Sequence, residues 1–85
     1  MKINYSNDPK EIGYNAVTDT ATIFTEDKDW MKELIANIKR TKDKAIIRQA
    51  ERDFHDEMLN RYGSAVAGEL LFRLWRATSQ EEKHG

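Results

Sequence analysis

From Thr25 to Thr78 apolar side chains recur every three or four residues, and the clearest break in that rhythm is Gly63-Ser64. A spacing of three to four is the repeat of an α-helix with one buried face. A glycine that accepts left-handed backbone, followed by a serine able to cap, ends one helix and starts another. The chain is thereby committed to helices that fold back on each other at residue 63.

Upstream of that turn the pattern predicts two helices, over residues 27–40 and 42–62. In the first, Trp30, Leu34, Ile35 and Ile38 form one stripe. Glu26, Asp27 and Asp29 suit the positive end of the helix dipole, Lys39 and Arg40 the negative end, and Thr25 or Asp27 can cap. In the second, Ile46, Ile47, Ala50, Phe54, Met58 and Tyr62 share one side. The junction Arg40-Thr41-Lys42-Asp43 has neither Gly nor Pro, so a break there is inferred from Thr41 as a cap and from charge density, with one continuous bent helix as the alternative.

The third helix, over 64–78, is more apolar than one neighbour requires. Val66, Leu70, Leu74 and Ala77 make one stripe, but Ala67, Gly68, Leu71, Phe72 and Trp75 continue it around the cylinder. The apolar arc reaches roughly 240°, which leaves Glu69, Arg73 and Arg76 as a polar strip.

The first 25 residues read differently. Asp8-Pro9-Lys10-Glu11 predicts a single helical turn, capped by Asp8 and ended by Gly13. Val17, Ala21 and Ile23, interleaved with Thr18, Thr20 and Thr22, alternate as a strand does, and Ile3 to Tyr5 can pair with them. A small two-stranded ribbon is expected, with loosely ordered extended chain as the alternative. Residues 79–85 are polar and are expected to fray. The fold class is mainly α: a compact three-helix single domain over 1–85, with an extended or β-ribbon segment at 1–25 and a helical core at 26–78.

Composition narrows function mainly by exclusion. With no cysteine among 85 residues there is no disulfide staple, thiolate metal site or thiol nucleophile, and a reducing, cytoplasmic setting is expected. The net charge of −1 carries no overall basic surplus for nucleic acid. No apolar run approaches the roughly 18 residues of a membrane span, and the start lacks a signal-peptide core.

Glu51 and His55, four residues apart, could share a helix face as metal ligands, but two ligands make no site and neighbouring charges pair readily as surface ladders such as Arg52 to Asp56 or Glu57 to Arg61. Ser6, Ser64 and Ser79 lack a nucleophile context, and Ser64 reads as a cap. The glycines are scattered singly, so no phosphate loop and no cofactor are expected. A helix-turn-helix is conceivable around Gly63, yet the would-be recognition helix begins Ala65, Val66, Ala67, Gly68, Glu69, with nothing to read base edges.

Two binding surfaces remain. Leu71, Phe72 and Trp75, beside Arg73 and Arg76, have the composition of an interaction hot spot, and the small Ala67 and Gly68 would admit a second helix, including that of a second copy. The N-terminal ribbon could equally cover this surface. The alternative is a phosphate- or nucleic-acid-binding patch of Lys39, Arg40, Lys42, Lys44 and Arg48. The expected function is a non-enzymatic protein–protein interaction module acting through the apolar face of the third helix, an inhibitor or accessory factor by analogy with the many small phage and mobile-element proteins whose short, cysteine-free, motif-poor profile this chain resembles.

Overall fold

The computed structural model describes residues 1–79, which form strands β1 (Lys2–Ser6), β2 (Gly13–Asn15) and β3 (Thr20–Phe24), then helices α1 (Thr25–Arg40), α2 (Lys44–Tyr62) and α3 (Ser64–Ser79). Apart from Ser79, which closes α3, the tail expected to fray lies outside the described residues, as does His84.

The helices end where charge and glycine place them, but three of the expected caps are different residues. Thr41 closes α1 instead of opening α2: its N–H donates to the carbonyls of Asn37 and Ile38 at 3.1 and 3.2 Å, and its hydroxyl to that of Asn37 at 2.8 Å. Asp43 opens α2, its carboxylate accepting from the amides of Ala45 and Ile46 at 2.9 and 3.5 Å. The break is therefore real, and α2 starts at 44, not 42. At the next turn Gly63 serves both helices. Its N–H donates to Leu59 O and its carbonyl accepts from Ala67 N, each at 3.0 Å, with φ at 90°. Ser64 is the first residue of α3, not its cap. At the start of α1, Phe24 occupies the cap position without a side-chain bond, and neither Thr25 nor Asp27 caps.

The N-terminal segment forms three strands where two were expected, in the order β1-β3-β2. Ile3 to Tyr5 do pair with Ala21 to Ile23, but in parallel. The chain leaving β1 passes through a single turn at Pro9–Glu11, capped by Asp8 as expected, and returns as β2, antiparallel to β3. β2 takes one edge of β3, which leaves the other edge to β1. β2 is too short and exposed to show a hydrophobic alternation. Val17, expected in the strand, stands 94% exposed in the β2–β3 turn, where Asn15 accepts from the amides of Val17 and Thr18.

All layers feed one core. Ala21 and Ile23 come from β3, Leu34 and Ile38 from α1, Phe54 and Met58 from α2, and Val66, Ala67, Leu70 and Leu74 from α3. Trp30 sets its ring edge-on to Phe54 at 5.1 Å. Each large side chain so buried contributes about 1.5–3 kcal/mol. Ile46 is the exception to the expected α2 stripe, 58% exposed. It lies eight residues before Phe54, about 80° further round the helix, so it leaves the core side. No helix among the described residues is long and apolar enough to cross a membrane.

Candidate protein-interaction face

The polar and apolar residues of α3 separate by direction. Arg73 and Trp75 are two residues apart and so point about 160° from each other. Arg73 turns toward the N-terminal strand, where its guanidinium donates to the carbonyl of Met1 at 2.6 Å and to Glu69 at 2.9 Å. It is a clasp between α3 and the sheet, a correction to its expected place in the contact face. The N-terminal segment thus reaches the Arg73 side of α3 and does not cover the aromatic one. Phe72 and Trp75 remain 51% and 50% exposed, while Leu71 packs partly against the core. The guanidinium of Arg76 lies over the Phe72 ring at 5.7 Å.

Trp75 stands as a wall between two grooves. One, of about 300 Å³, runs between α2 and α3 and is lined by Arg48, Glu51, Arg52, His55, Leu71 and Trp75. The other, of about 380 Å³, opens toward the α1–α2 junction, with Ile38, Lys39, Ile47 and Glu51 among its walls. Sequence reasoning set the aromatic face and the basic region apart. The fold joins them at Arg48, which lines the aromatic groove.

The other basic residues are placed differently. Lys39, Arg40, Lys42 and Lys44 are exposed around the α1–α2 junction. Arg40 donates to the side-chain oxygen of Asn37 at 2.5 Å, and Asp43 already occupies the first free amides of α2, the groups an incoming phosphate would use. Glu51 and His55 share a groove, but among the described residues no three His, Asp or Glu side chains gather to hold a metal ion.

One cluster was legible only in its Glu57–Arg61 ladder. Asp27, 2% exposed, accepts from Arg61 at 2.6 Å and from the hydroxyl of Tyr62, whose oxygen in turn accepts from the Phe24 amide at 3.0 Å. Arg61 also reaches Glu57 at 3.2 Å and Glu26 at 3.4 Å. Burial, then the bond to Asp27, pushes the Tyr62 phenol well above its ordinary range, and the same carboxylate raises Arg61. Both carboxylate oxygens of Asp27 are engaged within the cluster, and among the described residues no buried side-chain nitrogen or oxygen lacks a partner. The arrangement ties the end of β3 and the start of α1 to the end of α2, and its chemistry is that of a structural latch. The only other hint in sequence is that Asp27 lies in the first turn of one helix and Arg61 and Tyr62 in the last turn of the next.

Comparison with protein-family models, curated proteins and solved structures found no match to this chain.

Proposed function

We propose that this protein is a non-catalytic interaction module that binds a partner protein through the α2–α3 face. The observation that carries the reading is the pair Phe72 and Trp75, half exposed on a helix whose other side is fully packed, with Trp75 dividing two grooves. Large aromatic surface held rigidly beside arginines is where interfaces concentrate their binding energy. A small rigid body with such a face suits an inhibitor or accessory factor of the kind phages and mobile elements encode, which acts by occupying a surface.

Capture from nuclease-treated lysate tests this, with wild type compared against Phe72→Glu and Trp75→Glu after circular dichroism has shown all three folded. A specific protein bound by wild type and lost from both variants is the expected result. Capture unchanged by either variant removes the reading. Capture that depends on nucleic acid moves the function to the basic residues Lys39 to Arg48, and concentration-dependent pairing abolished by Phe72→Glu makes the partner a second copy.

A further inference from the structure

Resting on that reading of the face, we propose that the partner presents an acidic amphipathic helix, its apolar side seated on Gly68, Phe72 and Trp75 and its carboxylates on Arg48 and Arg52.

One row of α2 is net positive, with Lys44, Arg48 and Arg52 against the single acid Asp56. Lys44, Arg48 and Arg52 follow one another at four-residue steps and stay within about 80° of the helix surface, on the side that meets Trp75. Asp53 and Glu57 lie across the helix and are engaged there, Asp53 by Gln49 at 2.8 Å and Glu57 by Arg61 at 3.2 Å. The cations are not so engaged. Among the described residues Arg48 and Arg52 make no ion pair or side-chain hydrogen bond, not even Arg52 with Asp56 four residues on. Two such guanidiniums beside an apolar groove complement carboxylates, which they bind with fork geometry. Glu51 lines the same groove and opposes any incoming anion, a densely charged phosphate backbone more than the spaced carboxylates of a helix.

Gly68 adds an independent point. It lies within about 60° of Phe72 and Trp75 on the exposed side of α3. A Cβ built there meets nothing within 4 Å, so no contact inside the molecule requires glycine. The bare backbone leaves room for a second helix to approach closely.

The test uses two synthetic helical peptides with the same leucine and phenylalanine stripe, one flanked by Glu and one by Lys, with oligo-dT as a third probe. The readout is the indole N–H resonance of Trp75, assigned with Trp75→Phe. The Glu-flanked peptide is expected to shift Trp75 and leave Trp30 in place, with affinity falling about tenfold or more in Arg48→Glu/Arg52→Glu and falling again with added salt. No shift, equal binding of the Lys-flanked peptide, or preferential binding of oligo-dT overturns the proposal. The captured partner separates this failure from that of the face itself. Capture lost in Phe72→Glu and Trp75→Glu but untouched by Arg48→Glu/Arg52→Glu keeps the interaction face and rejects the acidic partner, whereas capture indifferent to the aromatic variants rejects both.

Discussion

The hydroxyl of Tyr62 donates to the carboxylate of Asp27 across 35 residues of sequence, and its oxygen accepts the Phe24 amide at 3.0 Å. One phenol thus closes β3, α1 and α2 at a single point. Tyr62→Phe leaves the Phe24 amide and one Asp27 oxygen unpaired in a largely buried setting, which costs about 1–3 kcal/mol. Urea unfolding is expected to show a lowered midpoint with an unchanged slope.

The same latch sets an alkaline limit. Tyr62 holds its proton more tightly folded than unfolded, so its contribution is fully present below the ordinary tyrosine value of 10.0 and is lost as pH rises above it. The groups facing the phenol are Asp27, Arg61 and the Phe24 amide. Tyr14 is raised too, by its bond to Asp19, but on an exposed strand. Unfolding midpoints followed upward from pH 8 are expected to fall for wild type and for Tyr14→Phe, and to fall less steeply in Tyr62→Phe. Parallel slopes in wild type and Tyr62→Phe would sink the assignment.

These contacts mark where sequence reasoning stopped. Helix existence was legible because Leu34, Ile38, Phe54, Met58, Leu70 and Leu74 obey a strong local period, and every one of them is buried. Caps were less legible, since Thr41 and Asp43 are both good capping residues and only the backbone path decides which carbonyls and amides are free. The Asp27–Tyr62 bond and the clasp from Arg73 to Met1 are tertiary, with no spacing to announce them. The apolar excess of α3 was legible by composition, but not that Phe72 and Trp75 stay half exposed, that Arg73 turns away or that Arg48 joins Trp75, because all three depend on how α2 and α3 are rotated against each other.

Asp43→Ala removes the acceptor for the Ala45 and Ile46 amides and is expected to cost about 1 kcal/mol, with Asp43→Ser recovering most of it. Amide exchange at Ala45 and Ile46 should quicken in the alanine variant while exchange deep in α2, at Phe54, changes only by the global loss.

The two glycines around α3 give opposite signs for one substitution. Gly63 has φ at 90°, a conformation in which a side chain is strained although the space is open, so Gly63→Ala is expected to destabilise by about 1–2 kcal/mol. Gly68 has helical backbone and equally open space, so Gly68→Ala gains helix propensity, up to about 1 kcal/mol. Thermal midpoints of the two variants should bracket wild type. Gly68→Ala should also weaken partner capture, which would separate fold stability from the role of the face.

Along α3, burial separates core residues from exposed ones, and substitutions can read that division. Leu74 is fully buried, one residue from Trp75, which is half exposed, and Phe72 is exposed to the same degree two residues before Leu74. Leu74→Ala opens a cavity between α3 and its neighbours and is expected to cost about 2–5 kcal/mol, a large share of the stability of so small a domain. Phe72→Glu and Trp75→Glu remove surface that water already reaches, so circular dichroism and unfolding midpoints should stay close to wild type, within about 1 kcal/mol. Phe72→Glu also gains a carboxylate near Arg76, which offsets the lost stacking. A loss for Trp75→Glu as large as that for Leu74→Ala would make Trp75 a core residue, and the grooves beside it would then be features of packing with no role in binding.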